Sequence, residues 1–161
     1  MSTATPSEYV TIDENNNFGY DAGGYNATDV GTLTKYKKIR IIIETMTIER
    51  KDPTFNEPPT SKMHYAKGKS CNCVRGACPP WLGYFQISTV GTGMKFSEKA
   101  SWIANGHNPG IANFSRNGDS TVISANCGGR CGGCKPNWSL NLLYNEKDVV
   151  EDSKAIHPYC V

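Results

Sequence analysis

Six cysteines fall into two tight triplets, and their sulfurs carry the clearest chemistry in this chain. The first triplet is Cys71, Cys73 and Cys78; the second is Cys127, Cys131 and Cys134, with glycines filling most of its spacers. Thiols grouped this way either oxidise to disulfides or, as thiolates, share a tetrahedral zinc. The glycines permit left-handed backbone, so the second loop can fold sharply and present its sulfurs together. Cys78 precedes Cys127 by 49 residues. A bridge between them would stabilise by about 4 kcal/mol in the chain-entropy model. Spacing does not choose among the pairings open to six sulfurs. For zinc, Cys131 and Cys134 have knuckle spacing, Cys71 and Cys73 complete a four-sulfur site, and Cys78, Cys127 or His64 are alternates. Disulfides with no cofactor are the expectation carried forward, and zinc is the alternative. Cys160 is left over as a candidate intersubunit thiol, a buried thiol, or a partner within the chain.

The spacing of Cys127, Cys131 and Cys134 resembles the cluster motif of radical enzymes that use S-adenosylmethionine. That family builds a large α/β barrel after the motif, and 27 residues follow here, so no such cluster is expected. Plant-type ferredoxins are similar only loosely, because their first cysteine gap is one residue longer. No nucleophile elbow, phosphate loop, zinc-protease helix or dinucleotide fingerprint occurs. His64, His107 and His157 are scattered, and the expectation is a protein that is not an enzyme.

A second chemistry lies in the basic stretch Lys62–Arg75, where His64 and Tyr65 sit among Lys67, Lys69 and Arg75. Cations interleaved with aromatics can hold an anionic surface. Tyr65, Lys67, Lys69, Arg75 and Trp81 are therefore the candidate surface-binding residues, with a glycan or membrane surface as partner and nucleic acid disfavoured. Trp138 opens an amphipathic run and is expected in the core. The oxygen-rich run Asp13–Asn17 reads as a turn cluster, since it lacks the glycine and the final acid of a calcium loop.

The charges are unevenly placed. Residues 1–34 carry five acids and no Lys or Arg, whereas residues 35–144 carry fifteen Lys or Arg against six acids. An acidic leader beside a basic body docks on its own body or on a neighbour's. Residues 1–30 are thus expected as an acidic polar arm and 31–161 as a single cysteine-rich β domain. No apolar run reaches membrane-spanning length; Ile41–Ile43 is the best stretch.

The elements that must position these groups read as strands. Lys38–Arg50 is β-branched and alternates, with a change of phase near Glu44 that predicts one long strand with a bulge. Leu82–Val90 is a second strand, and Met94–Phe96 and Ser101–Ala104 are shorter ones. Asn117-Gly118 predicts a two-residue hairpin placing Arg116 opposite Asp119 and Phe114 opposite Thr121. Trp138–Tyr144 closes the sheet with Trp138, Leu140, Leu142 and Tyr144 on one face, and 146–154 can form a short helix. Strands at this spacing, punctuated by Gly, Pro and Asn, predict an all-β fold, an antiparallel sandwich or barrel of jelly-roll-like form. The functional expectation is a structural or binding protein acting by surface contact. In that expectation the arm packs on a neighbour, homo-oligomers or larger assemblies form, and disulfides stiffen the unit. The alternatives are an intracellular zinc module contacting nucleic acid or protein, and a secreted lectin-like or membrane-active toxin. The expected location is extracellular or particle-associated with no signal peptide visible, or cytoplasmic if the cysteines bind zinc.

Overall fold

Alternation of apolar and polar residues every second position is realised as strands throughout the computed structural model, which describes residues 5–24, 30–71 and 81–148. The strands are β1 (Ser7–Thr11), β2 (Phe18–Asp21), β3 (Thr32–Tyr36), β4 (Lys38–Ile42), β5 (Thr47–Ile48), β6 (Asn56–Glu57) and β7 (Gly68–Ser70). They continue as β8 (Gly83–Ser88), β9 (Met94–Phe96), β10 (Trp102–Gly106), β11 (Gly110–Arg116), β12 (Val122–Gly128), β13 (Gly132–Pro136) and β14 (Leu142–Tyr144). The fold is all-β. Its main sheet runs β10-β13-β7-β2-β8-β12-β11, with β3 and β6 branching from β2. Every pairing in it is antiparallel except β2 with β7.

The seven-strand path curls until it nearly closes into a barrel. Trp102 on β10 stacks on Phe85 of β8 at 5.3 Å and meets Phe114 of β11 at 5.8 Å, so the two ends of the path converge on one indole. Phe85, Ile87, Ile123 and Ala125 point inward and are buried. Sheet β1-β4-β5 adds Val10, Ile39, Ile41 and Ile48 to the same core, and the pair β14-β9 adds Leu142, Met94 and Phe96.

Three sequence expectations are corrected here. Lys38–Arg50 is a hairpin, not one long strand: β4 turns through 43–46 and returns as β5, with Ile41 opposite Ile48. The phase change marks the turn, where Met46 takes a φ of 50°. The hairpin at Asn117 has a longer loop and a different register, with Arg116 opposite Ile123. Asn117 sets it, because its side-chain oxygen accepts hydrogen bonds from the backbone N–H of Thr121 and Val122 at 2.8 and 3.0 Å. Finally, only Leu142–Tyr144 of the last run pairs as strand; Leu140 is buried, but Trp138 is 79% exposed and Tyr144 68%. The alternation there breaks before β14 begins. The helix expected at 146–154 falls mainly outside the described residues, and Glu146–Asp148 are turn and bend.

The acidic leader docks on its own body over the stretch described. β1 pairs with β4 from Ser7 opposite Ile42 to Thr11 opposite Lys38, and β2 lies between β7 and β8 inside the main sheet. Asp13 closes the intervening turn, accepting hydrogen bonds from the Asn15 N–H and the Asn16 amide at 2.9 and 2.7 Å. That is the turn cluster expected of this run.

Candidate functional site

One row of paired residues crosses five strands. Thr32 on β3 is opposite Asp21 on β2, Asp21 is opposite Lys69 on β7, Lys69 is opposite Gly133 on β13, and Gly133 is opposite Asn105 on β10. Residues paired across a pleated ladder present their side chains on one face. The fourth position is a glycine, which adds no side chain to that face, and the surface along the row is a trough. Two clefts follow it. One, of about 380 Å³, is lined by Asp21, Thr32, Lys62, His64, Lys67 and Lys69 among others. The other, of about 210 Å³, takes in Lys67, Lys69, Asn105, Gly133 and the backbone around Cys71 and Cys131. Lys67 and Lys69 line both.

Gly133 is required by closeness as well as by shape. A Cβ there would stand 2.2 Å from the Gly68 carbonyl oxygen and 2.9 Å from the Lys69 Cβ, so no larger residue fits between β7 and β13.

The segment that delivers the cations is not a strand, and its backbone is held by side chains instead. Tyr36 Oη donates to the carbonyls of Met63 and His64 at 3.2 and 2.9 Å. Arg50 Nε donates to the Tyr65 carbonyl at 2.8 Å, and Trp102 Nε1 to the Ala66 carbonyl at 3.0 Å. Four successive carbonyls are thus satisfied by donors from three distant parts of the chain, which is how an irregular buried segment meets its hydrogen-bonding obligations. Ala66, fully buried with a φ of 66°, turns the backbone so that Lys67 emerges into the cleft.

The site's field is positive. Lys69 is ion-paired with Asp21 at 3.1 Å. Lys67 is held below the ordinary lysine value, first by burial and then by the charges of Lys69, Arg50 and Lys135, with Asp21 opposing. His64 is likewise held below the ordinary histidine value by burial, Lys67, Arg50 and Lys51. Beneath them, Arg50 carries a buried Nη2 with no hydrogen-bond partner. Such a cluster prefers an anion nearby.

Of the candidate surface residues, Lys67 and Lys69 come together in this trough. Tyr65 does not join them: it is 3% exposed, its ring packs edge-on against Tyr36 at 5.1 Å, and its hydroxyl donates to Asn17 Oδ1 at 2.5 Å. It is a core residue, and burial pushes its phenol well above the ordinary tyrosine range, so it stays a donor. Trp81 is half-buried, and its indole fills the space over Gly110, apart from the trough. Arg75 lies outside the described residues, as do Cys73, Cys78 and Cys160. The sequence reading missed Asp21, Thr32, Asn105 and Gly133, which reach the site only through strand pairing, and Lys135, whose charge acts on Lys67.

Cys71 is bonded to Cys131, and Cys127 to Cys134. The first bridge ties the residue after β7 to the turn before β13, at the end of the trough. The second joins β12 to β13, which are not neighbours in the sheet, and both its cysteines are fully buried. A four-sulfur zinc site would need these sulfurs as free thiolates. Among the described residues no three His, Cys, Asp or Glu side chains are grouped to hold a metal.

A family model for the GON domain matches residues 20–145. The mouse protein "A disintegrin and metalloproteinase with thrombospondin motifs 20" is 34% identical over 68% of this chain, and its human namesake is 32% identical over 77%. "A disintegrin and metalloproteinase with thrombospondin motifs gon-1" of Caenorhabditis elegans is 26% identical over 70% of the chain. The chain spans only about 6% of the length of the first two and about 5% of the third. No solved structure matches it.

Proposed function

The chain belongs to the GON-domain family, and from that premise we propose that it is a contact module that holds an anionic partner in the trough across β3, β2, β7, β13 and β10. It is a disulfide-braced, all-β, non-catalytic domain. Its relatives are consistent with an extracellular context, where disulfides persist. The carrying observation is the charge of the cleft: among the described residues Lys62, Lys67 and Lys69 line it, and Asp21 is the one acid. A trough that is polar, open and braced on both sides suits binding by surface contact.

Self-association through a swapped acidic leader is the weaker reading, because residues 7–21 already pair within the chain. The test is charge reversal in the trough. Lys67→Glu with Lys69→Glu, in the intact chain, should abolish retention on an immobilised acidic polymer while leaving the thermal melt cooperative. Unchanged retention would remove the trough as the contact surface.

A further inference from the structure

We propose that the trough is a subsite for a sulfated polysaccharide, whose sulfate groups lie against Lys67, Lys69 and Lys135. The inference rests on the contact reading above and gives the anion its chemistry. Three observations narrow it.

The first is the kind of cation. Among the described residues the trough presents ammonium groups, which act as separate point charges, and no lining guanidinium fork of the sort that grips a single phosphate bidentately. Lys67 and Lys69 are two residues apart along the chain. Lys135 belongs to the next strand, two residues beyond Gly133, which faces Lys69. Spaced monovalent charges match spaced monovalent sulfates.

The second is the lining between the charges. Among the described residues, no Phe, Tyr or Trp borders either cleft. A single-stranded nucleic acid draws much of its affinity from bases stacking on aromatic faces, so this surface fits that ligand poorly. The hydroxyls of exposed Thr32 and Thr60 and the amide of Asn105 are instead placed to meet sugar hydroxyls.

The third is shape. The two clefts share Lys67 and Lys69 and between them touch all five strands of the row, with Gly133 in the lining. A linear chain can lie along such a trough.

The experiment uses the full chain and four immobilised probes: heparin, fully desulfated heparin, polyglutamate and poly(dT). Heparin should be bound, with affinity falling as salt rises, and desulfation should lower affinity at least tenfold. Lys67→Ala, Lys69→Ala and Lys135→Ala together should lower heparin affinity at least tenfold with an unchanged thermal melt. Lys95→Ala with Lys147→Ala, away from the trough, should not. A readout free of any folding defect is acetylation of the wild-type protein: heparin should protect Lys67 and Lys69 and leave Lys95 reactive. Equal binding to heparin and desulfated heparin, or to heparin and poly(dT), overturns the sulfate assignment. Binding of polyglutamate but not heparin, lost in the triple variant, overturns the polysaccharide and keeps the trough. No binding to any probe, or no protection of Lys67 and Lys69, sinks both.

Discussion

Asn17 is the side chain on which the region beneath the trough most depends. It is fully buried and makes four hydrogen bonds: its amide donates to the carbonyls of Asp13 and Ser88, and its oxygen accepts from Ser88 N–H and Tyr65 Oη. Removing one partner from a buried pair costs more than the bond's net worth, because the other is left dry and unsatisfied. Tyr65→Phe keeps the ring and loses one of these bonds, so it should lower stability by about 1 kcal/mol in urea titration. Asn17→Ala strands several groups at once and should cost about 3 kcal/mol or more. Equal effects from the two variants would mean that the phenol, not the amide, organises the site. His64 gives a pH signature. Its folded value is held below the ordinary one of about 6.5, so the unfolded chain takes up the proton first as pH falls. Stability is therefore complete above that value and is lost as pH drops toward the folded value. His64→Gln should flatten this part of the curve of urea midpoint against pH, and an unaltered slope would assign it to another group.

At the scale of elements, the acidic leader is a structural part of the sheet. β2 pairs with β3, β7 and β8 and carries Asp21, so deleting residues 1–22 removes a central strand and one wall of the trough together. That truncation should give no cooperative unfolding transition, whereas a dispensable arm would leave a folded monomer. The disulfides rank by the loops they close. A separation of 60 residues, for Cys71–Cys131, is worth about 4 kcal/mol in the chain-entropy model, and one of 7, for Cys127–Cys134, about 2.5 kcal/mol. Paired Cys→Ser variants should show that order in the urea midpoint, provided the slopes agree. What was legible in the sequence follows the same division. β8 and β9 are visible because alternation is local, and so was the all-β class. The hairpin at Glu44 and the loop after Asn117 were hidden, because a turn and a bulge leave similar phase changes and because one asparagine side chain sets the register. The trough was half legible: Lys67 and Lys69 announce themselves, but Asp21 and Gly133 join them only through pairings with Lys69 48 and 64 residues away along the chain, and Asn105 through its pairing with Gly133, 28 residues away.

Across the whole molecule, the brace and the proposed binding surface are one assembly. β7 has only three residues and pairs with β13 over Gly68–Ser70, yet it carries the central cation of the trough. So short a strand is weakly specified by its own hydrogen bonds. It is clamped from both ends: upstream, four carbonyls of residues 63–66 are gripped by Tyr36, Arg50 and Trp102; downstream, Cys71 is bonded to Cys131. In the proposed contact, an anionic partner would read a geometry set by those clamps, not by the lysines alone. Cys71→Ser with Cys131→Ser should therefore weaken binding even where the sheet survives, since Lys69 then sits on a strand free to part from β13. At a temperature well below its melt, this variant should elute from immobilised heparin at lower salt than the wild type, with unchanged far-UV circular dichroism. Cys127→Ala with Cys134→Ala removes a bridge from the interior and should change stability more than elution. If both pairs shift elution equally, or neither does, the Cys71–Cys131 bridge braces the fold without shaping the trough.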